Sequence, residues 1–200
     1  MGVRGKMIAA VLAGGKSSRF GENKLLYKID GKPIVMYTIE RLLKASSIED
    51  VVIVTSREMK EDFEALGVRV LIDDLLVGPI GGIFVALKQI GDAFVVGGDM
   101  PLINPKFVDY IVERFYERES LVCIPRWANG YIEPLHAVYS KNFVSILKKQ
   151  MKKGEYMIRK AIEIANPCYI LIDDLPEEFK ESLFNINTKH DLERFLDFRR

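Results

Sequence analysis

The chain has 200 residues, of which 48% are hydrophobic and 28% are charged, fractions that are typical of a globular protein and exclude a disordered or fibrous chain. Its 29 basic and 28 acidic residues leave a formal net charge of +1, so no overall field favours nucleic acid or a membrane as a partner. The length predicts one domain spanning residues 1–200. Residues 1–6 are too few and too polar for a signal peptide, and no apolar run reaches the roughly 18 residues of a membrane span, so we expect a cytoplasmic protein.

The first predicted element is a buried strand at residues 8–12, which runs into a glycine-rich polar loop. Gly14 and Gly15 let backbone N–H groups approach an anion closely. Three cations follow in the same loop, namely Lys16, Arg19 and Lys24. Arg19 can hold a phosphate through two hydrogen bonds and so ranks above Lys16 as a ligand. The loop therefore predicts a phosphate site, although the glycines alone would also suit a tight turn after a core strand.

Apolar strands then alternate with amphipathic helices as far as residue 125. The strands are continuous apolar runs, which is typical of a parallel sheet covered on both faces. The predicted elements are a helix from Pro33 to about 43, a strand at 50–55, a helix at 57–66, a strand at 68–72, a helix opened by 78–82, a strand at 93–96, a helix at 105–115 and a strand at 121–124. Four strand-then-helix units with short connections predict an α/β fold with a doubly wound, mostly parallel sheet rather than a barrel.

Two further segments of this first part suit a nucleotide site. Asp99 follows the strand at 93–96, at the edge where open α/β sheets bind ligands, and a carboxylate beside phosphates is a natural anchor for Mg²⁺. Asp99 could equally be a helix cap. The loop 78–82 would bring glycine backbone and a helix N-terminus against a base or an anion, unless it is only a helix entry. The side chains of the neighbouring residues Asp73 and Asp74 point in opposite directions, so we expect only one of them to face the predicted nucleotide site.

Beyond residue 125 the pattern becomes irregular. We predict an exposed turn at 126–130 and an extended segment at 131–139, whose Pro134 assigns it to a sheet edge. Helices at about 142–152 and 155–165, a strand at 169–172, a helix from 176 and a last helix after Thr188 complete the chain.

The second part also contains polar candidates for binding an acceptor, namely Glu133, His136, Asn185 and Asn187. Each alone is more typical of a structural residue, such as a buried histidine or a turn asparagine. Cys123 and Cys168 lie in apolar runs without His or Cys at metal-ligand spacing, and we interpret them as buried, reduced thiols.

Two common nucleotide motifs are missing from the sequence. It contains neither the Gly-x-x-x-x-Gly-Lys-Ser/Thr loop of P-loop proteins nor the Gly-x-Gly-x-x-Gly dinucleotide fingerprint. The residues present support Mg²⁺-dependent phosphoryl or nucleotidyl transfer, in which Lys24 would neutralise developing charge beside Asp99.

These motifs resemble those of the molybdenum cofactor guanylyltransferases (MobA-like), within the Rossmann-like nucleotidyltransferases. Residues 12–24, LAGGKSSRFGENK, resemble the family's first signature, LAGGxSxRMGxDK. Residues 78–82, GPIGG, resemble its GPLAG loop, and residues 98–101, GDMP, resemble its CDMP motif. Residues 185–188, NINT, resemble its closing NxNTP motif. The match covers nearly the whole chain in the family's order. It implies a three-layer α/β/α fold and Mg²⁺-dependent transfer of GMP from GTP to the phosphate of molybdopterin, with release of pyrophosphate.

The resemblance also implies roles for single residues. GTP would be bound by Leu12, Ala13, Gly14, Lys24 and Asp74, and Mg²⁺ by Asp99. From the glycine-rich loops we further predict that Gly15, Gly78 and Gly81 contact the nucleotide. The predicted catalytic groups are Lys24, Arg19 and Asp99. Residues 7–125 would then form the nucleotide-binding half and residues 126–200 the acceptor-binding half.

The sequence departs from the family's motifs at several positions. Phe20, Asn23 and Lys189 replace the family's methionine, aspartate and proline, and Val54 stands where the family has an asparagine, so that contact would be made by backbone or by Thr55. Rival functions remain open, because the end of the sequence also resembles that of archaeal adenosylcobinamide-phosphate guanylyltransferases. The molybdopterin cytidylyltransferases are a second closely related enzyme class. A nucleotide-binding delivery module is the non-enzymatic alternative. We expect a monomer or small homo-oligomer that contacts other proteins of molybdenum cofactor biosynthesis transiently.

Overall fold

The computed structural model describes residues 5–14 and 23–198. Within these residues the strands are β1 (Met7–Leu12), β2 (Lys28–Ile29), β3 (Lys32–Pro33), β4 (Ile48–Thr55), β5 (Arg69–Ile72), β6 (Ala93–Gly97), β7 (Val122–Arg126), β8 (His136–Tyr139) and β9 (Cys168–Leu171). The helices are α1 (Ile34–Leu42), α2 (Lys60–Glu64), α3 (Pro79–Ile90), α4 (Pro105–Arg118), α5 (Val144–Lys152), α6 (Ile158–Ile164), α7 (Glu177–Glu181) and α8 (Lys189–Phe198).

Local sequence signals account for several helix boundaries. The Asn104 side chain accepts a hydrogen bond from the Lys106 N–H at 2.9 Å and Pro105 opens the first turn, so α4 begins there. Gly91, with φ of +83°, ends α3. Residues 24–26 form a short 3₁₀ turn, because the Asn23 side chain caps it by accepting from the Leu25 N–H at 3.0 Å.

Seven strands of the described chain form one sheet in the order β5-β4-β1-β6-β8-β7-β9. Neighbouring strands are parallel except where β8 pairs with β6 and β7. The predicted α/β fold with a mostly parallel sheet is therefore confirmed. Because β5, β4, β1 and β6 are adjacent and parallel, the loops that follow them meet at one edge, which we call the carboxyl edge.

The prediction of an edge strand at 131–139 is wrong. β8 lies inside the sheet, is paired on both sides and has four buried residues. Pro134 precedes the strand, so its missing N–H removes no hydrogen bond from the ladder. The residues before β8 form a turn in which the His136 N–H donates to the Glu133 carbonyl at 3.1 Å.

Apolar cores fill both faces of the sheet and give three layers. Along β1, Ala9 and Val11 face a core that contains residues of α1 and α4, such as Phe107. Ala10 faces the opposite core, which contains residues of α3 and α5, such as Ile83. This division follows the two-residue period of a strand. We call the first the α1/α4 core and the second the α3/α5 core.

The last helix packs on the first helix through a smaller apolar cluster. Ile29, Ile34, Ile186 and Phe195 are buried there together, and the rings of Tyr37 and Phe195 meet edge to face at 5.4 Å. This packing brings the segment 185–188 towards the carboxyl edge. None of the described helices is long and apolar enough to cross a membrane.

Candidate functional site

The end of β1 is fixed by the ends of the two neighbouring strands. The Ala13 N–H donates to the Val54 carbonyl at 2.8 Å, and the Gly98 N–H donates to the Leu12 carbonyl at 3.1 Å. The buried Thr55 hydroxyl donates to the Ala13 carbonyl at 3.1 Å. These contacts hold Leu12 and Ala13, where the predicted phosphate loop begins, at the carboxyl edge.

Gly97 leaves room for the Asp99 carboxylate, and Gly98 leaves room for the Leu25 side chain. A Cβ on Gly97 would lie 2.8 Å from Asp99 Oδ1, and a Cβ on Gly98 would lie 2.9 Å from Leu25 Cδ1, both shorter than the normal contact between non-bonded heavy atoms. The buried Thr38 hydroxyl donates to the Gly98 carbonyl at 3.1 Å. The corner after β6 is therefore fixed from both sides and directs the Asp99 carboxylate to the carboxyl edge.

Lys24, Asp99 and Asn187 come together from three distant parts of the chain. Lys24 Nζ lies 2.7 Å from Asp99 Oδ2 and donates to Asn187 Oδ1 at 3.3 Å. The side chains of Lys24 and Asp99 are 13% and 22% exposed, so their attraction is screened less than that of a surface pair. The Ile186 N–H donates to the Asp99 carbonyl at 2.9 Å, which ties the closing segment to the same corner. A cation and a carboxylate thus stand side by side at the carboxyl edge.

The two aspartates after β5 have different surroundings, as expected from their alternation. Asp73 is 9% exposed, and its Oδ1 accepts from the N–H groups of Leu75 and Leu76 at 2.9 and 3.3 Å. Asp74 is exposed and forms an ion pair with Arg57 at 2.7 Å. Asp73 therefore shapes the loop, while Asp74 keeps an accessible carboxylate and its predicted nucleotide contact stays a prediction.

Glycine is needed at the start of α3 for two different physical reasons. Gly78 has φ of +80° and ψ of −160°, a conformation that is essentially restricted to glycine. A Cβ on Gly81 would lie 3.1 Å from Asp73 Oδ2, and one on Gly82 would lie 3.2 Å from the Leu12 side chain. Gly81 and Gly82 therefore let α3 approach β1 and β5 closely, and nucleotide contacts of Gly78 and Gly81 stay predictions.

Glu133 is held by the segment that was predicted to be an exposed turn. Trp127 is only partly exposed, packs against the α1/α4 core and donates from Nε1 to Glu133 Oε1 at 2.8 Å. Burial raises the pKa of the Glu133 carboxyl, and the hydrogen bond from Trp127 acts in the opposite direction. Asn185 donates from its side chain to the Leu183 carbonyl at 2.8 Å. Glu133 and Asn185 thus have structural partners, and their acceptor contacts stay predictions.

His136 is a core residue, and its predicted contact with an acceptor is wrong. The side chain is fully buried, with ring centres 5.3 Å from Phe94 and 5.2 Å from Phe107. Its Nε2 lies 2.8 Å from the Ser182 hydroxyl oxygen. Burial lowers the pKa of His136 to about 3, so the ring is neutral near pH 7. A ligand could reach it only if the core opened.

Three of the predicted phosphate ligands, Gly15, Lys16 and Arg19, lie outside the described residues. Among the described residues, no group of three or more His, Cys, Asp or Glu side chains is arranged to hold a metal ion. Asp99 nevertheless suits Mg²⁺, since that ion commonly takes one or two protein carboxylates and completes its shell with phosphate oxygens and water.

Three buried hydroxyl groups support the backbone around the site, and two of them, those of Thr38 and Ser182, were missed from the sequence. Thr38 and Thr55 each hold a backbone carbonyl of the carboxyl edge, and Ser182 accepts from the Asn104 N–H at 2.8 Å. Thr38 could have been found by its helical spacing from Ile34, which places it on the buried face of α1. No comparable signal marks Ser182.

Comparison with known proteins agrees with this geometry. A family model, the MobA-like NTP transferase domain, matches residues 9–168. A relative from Thermococcus sibiricus is named "probable molybdenum cofactor guanylyltransferase" and is 61% identical over 188 residues, 94% of this chain and 96% of the relative. A Pyrococcus furiosus protein of the same name is 52% identical over 192 residues, 96% of this chain and 97% of its own.

Solved structures match the fold over almost the whole chain. Molybdopterin-guanine dinucleotide biosynthesis protein A from Archaeoglobus fulgidus superposes with a TM-score of 0.81 at 28% identity, covering 94% of this chain and 96% of its own. A CMP:2-keto-3-deoxy-manno-octonic acid synthetase solved with CTP superposes with a TM-score of 0.70 at 14% identity, covering 97% and 98%. The second likeness is one of fold alone, and it agrees with the Rossmann-like architecture.

Proposed function

Because this chain belongs to the MobA-like NTP transferase family and is a nucleotidyltransferase, we propose that it transfers GMP from GTP to the phosphate of molybdopterin. Pyrophosphate is the second product. The name shared by the relatives supports a guanylyltransferase role. The observation that carries the chemistry is the Lys24–Asp99 pair at 2.7 Å on the carboxyl edge.

Asp99 is the residue that would hold Mg²⁺. When bound, the ion would neutralise phosphate charge and orient the triphosphate for in-line attack by the acceptor phosphate. Gly97 leaves room for the carboxylate, Lys24 Nζ holds its Oδ2, and the Ile186 N–H donates to the Asp99 carbonyl. A preorganised carboxylate requires little rearrangement when the substrate binds.

Lys24 supplies the positive charge on the protein side. Its Nζ is held by Asp99 and Asn187, so the cation is aligned before the substrate binds. In the reaction Lys24 would donate hydrogen bonds to the phosphate that carries the developing charge, assisted by Arg19 and the backbone N–H groups of Gly14 and Gly15. The acceptor phosphate is the nucleophile, so no covalent intermediate with the protein is required.

The nucleoside would lie along the ends of β1, β4 and β5. Leu12, Ala13, Asp74, Gly78 and Gly81 are the proposed contacts there. Residues 7–125 then form the nucleotide-binding half and residues 126–200 the acceptor-binding half. In the second half Asn187 is the best-supported acceptor ligand, because it is exposed and already touches Lys24.

A panel of substrates tests this proposal directly. The purified protein is incubated with GTP, CTP or ATP, each with molybdopterin or with cobinamide phosphate, and pyrophosphate is measured with and without Mg²⁺. Release only with GTP, molybdopterin and Mg²⁺ is the expected result. Preference for cobinamide phosphate or for CTP would reassign the acceptor or the nucleotide. Nucleotide binding without pyrophosphate from any pair would instead indicate a delivery module.

A further inference from the structure

The two cysteines of the chain are partners on adjacent strands. Cys123 of β7 is in direct register with Cys168 of β9, and the two strands are parallel. Neighbouring strands lie about 4.7–4.9 Å apart, which is inside the range of about 4.4–6.8 Å between Cα atoms that a disulfide spans. Both side chains face the α1/α4 core, and each thiol shifts the pKa of the other. A bond between the two sulfur atoms therefore requires little movement of the backbone.

The two thiols differ in access and in acidity. Cys123 is fully buried, whereas Cys168 is partly exposed. The neighbouring Cys123 thiol lowers the pKa of Cys168 to about 7, and the charges of Arg118 and Arg114 act in the same direction, whereas burial and Glu117 act in the opposite one. The neighbouring Cys168 thiol and burial raise the pKa of Cys123. Since the thiolate is the reactive form, Cys168 is the thiol that would react first.

Cys168 opens into a cavity with a volume of about 670 Å³. Its lining includes Tyr110, Arg114, Arg118, Ser120, Cys168 and Asp174. Arg114 is paired with Glu117 at 2.8 Å, but the charges of Arg118 and Arg114 act on Cys168 more strongly than that of Glu117. A small reactant with carboxylate groups is therefore favoured over a neutral one of the same size.

This cavity is remote from the proposed nucleotide site. Cys123 and Cys168 lie at the amino-terminal ends of their strands, and β7 runs in the same direction as β6, because both are antiparallel to β8. Asp99 follows the opposite end of β6. The proposed transfer reaction therefore uses neither thiol.

We propose that Cys123 and Cys168 form a reversible redox site that reacts with small anionic disulfides of the glutathione type. The Cys168 thiolate attacks one sulfur of the disulfide, which forms a mixed disulfide and releases one small thiolate. Cys123 then loses its proton to solvent or to the released thiolate and attacks the Cys168 sulfur, which releases the second small thiol. Two protein thiols are oxidised and one small disulfide is reduced to two thiols. The product is a covalent link between β7 and β9.

The test is oxidation of the folded, reduced protein with glutathione disulfide, followed by mass spectrometry under non-reducing conditions. We expect the protein to lose the mass of two hydrogen atoms, and a digest to join the peptides that contain Cys123 and Cys168. Because a cross-link restricts the unfolded chain, we expect the melting temperature to rise by about 5–10 °C and to fall back after reduction. Two free thiols after prolonged oxidation, with an unchanged melting temperature, would overturn the proposal.

Single variants test the order of the two steps. In Cys123→Ala the mixed disulfide on Cys168 cannot be resolved, so a stable glutathione adduct should accumulate. In Cys168→Ala the buried Cys123 should remain unmodified. Equal adduct yields in the two variants, both shown by circular dichroism to be folded, would contradict Cys168 as the entry point.

The role of the cavity charge is tested with Arg114→Gln and Arg118→Gln. Each should slow oxidation by glutathione disulfide about threefold to tenfold, and oxidation by the neutral hydroxyethyl disulfide much less. Arg69→Gln, on the distant edge strand, is the matched control and should change neither rate. Equal slowing with both reagents would show that the arginines act on the Cys168 thiolate or on the fold, and would contradict attraction of an anionic reactant.

Discussion

Lys24 and Asp99 are 75 positions apart, and their side chains meet at 2.7 Å. The sequence predicted this pairing because each follows a strand of a parallel sheet, where the loops converge. It could not predict that Asn187 completes the contact at 3.3 Å, since that position depends on how α8 packs on α1. For the same reason the sequence left His136 open between a buried structural residue and an acceptor ligand, since its burial depends on the insertion of β8 between β6 and β7.

Replacing the proposed metal ligand should abolish the reaction and preserve the fold. We expect Asp99→Asn to lower kcat by at least about 100-fold, because the amide is a poor ligand for Mg²⁺ and leaves Lys24 without its counter-charge. Steady-state pyrophosphate release measures the effect. Asp62→Asn, on the exposed face of α2, should keep wild-type turnover. Turnover of Asp99→Asn within a few-fold of wild type would remove Asp99 from the metal site.

Lys24 should matter more for the chemical step than for binding. Because its charge is aligned before the substrate arrives, Lys24→Ala should lower kcat by about 100-fold and weaken GTP binding by less than about tenfold. Single-turnover rates and equilibrium binding of GTP separate the two effects, with the exposed Lys28→Ala as control. Loss of affinity with an unchanged rate would make Lys24 a binding residue only.

The buried imidazole of His136 should make the protein sensitive to acid. Its pKa is about 3 in the folded protein and about 6.5 in an unfolded chain. Between these values the unfolded chain binds the extra proton, so stability falls as the pH falls below about 6.5. This one group should cost about 2 kcal/mol at pH 5 relative to pH 8.

Urea unfolding at the two pH values measures the His136 effect. The free energy of unfolding should differ between pH 8 and pH 5 by about 2 kcal/mol less in His136→Phe than in the wild type. His190→Gln, at an exposed histidine, should keep the wild-type difference. An unchanged pH dependence in His136→Phe would refute the linkage.

At the scale of elements, the alternation of strands and helices was predictable as far as residue 125, because both faces of a parallel strand are buried and the apolar runs are continuous. The element that was misplaced is β8. Its residues look like an edge strand next to Pro134, but strand order in a sheet depends on long-range pairing and not on local pattern. The entry to α3 was placed correctly because glycine is required there by backbone conformation at Gly78.

That conformation gives a prediction for the Gly78 loop. Gly78→Ala forces a side chain into a region that costs about 1–3 kcal/mol, so the loop should shift and GTP affinity should fall about tenfold. Gly154→Ala is the matched control, because Gly154 also has a positive φ, of +72°, but lies between α5 and α6. The melting temperature should fall in both variants, whereas the affinity for GTP should fall in Gly78→Ala alone. Equal affinities for GTP would exclude the Gly78 loop from the nucleotide site.

At the scale of the whole molecule, the ordinary composition correctly indicated a globular protein. The α/β fold and the convergence of loops at the carboxyl edge followed from the order of elements, and the three-layer arrangement followed from the resemblance. The identity of the acceptor did not follow, because the roles proposed for the first loop and Asp99 concern the phosphates shared by all nucleotidyl transfers, whereas the proposed acceptor half lies in the irregular part of the chain.

The most direct measurement is the fate of isotopic phosphorus from GTP during the reaction with molybdopterin. If the chain is a guanylyltransferase, label at the α-phosphate should appear in the acceptor, and label at the γ-phosphate should appear only in pyrophosphate. Both transfers should require Mg²⁺ and disappear in Asp99→Asn. Appearance of γ-label as inorganic phosphate, or transfer of the γ-phosphate to the acceptor, would contradict nucleotidyl transfer.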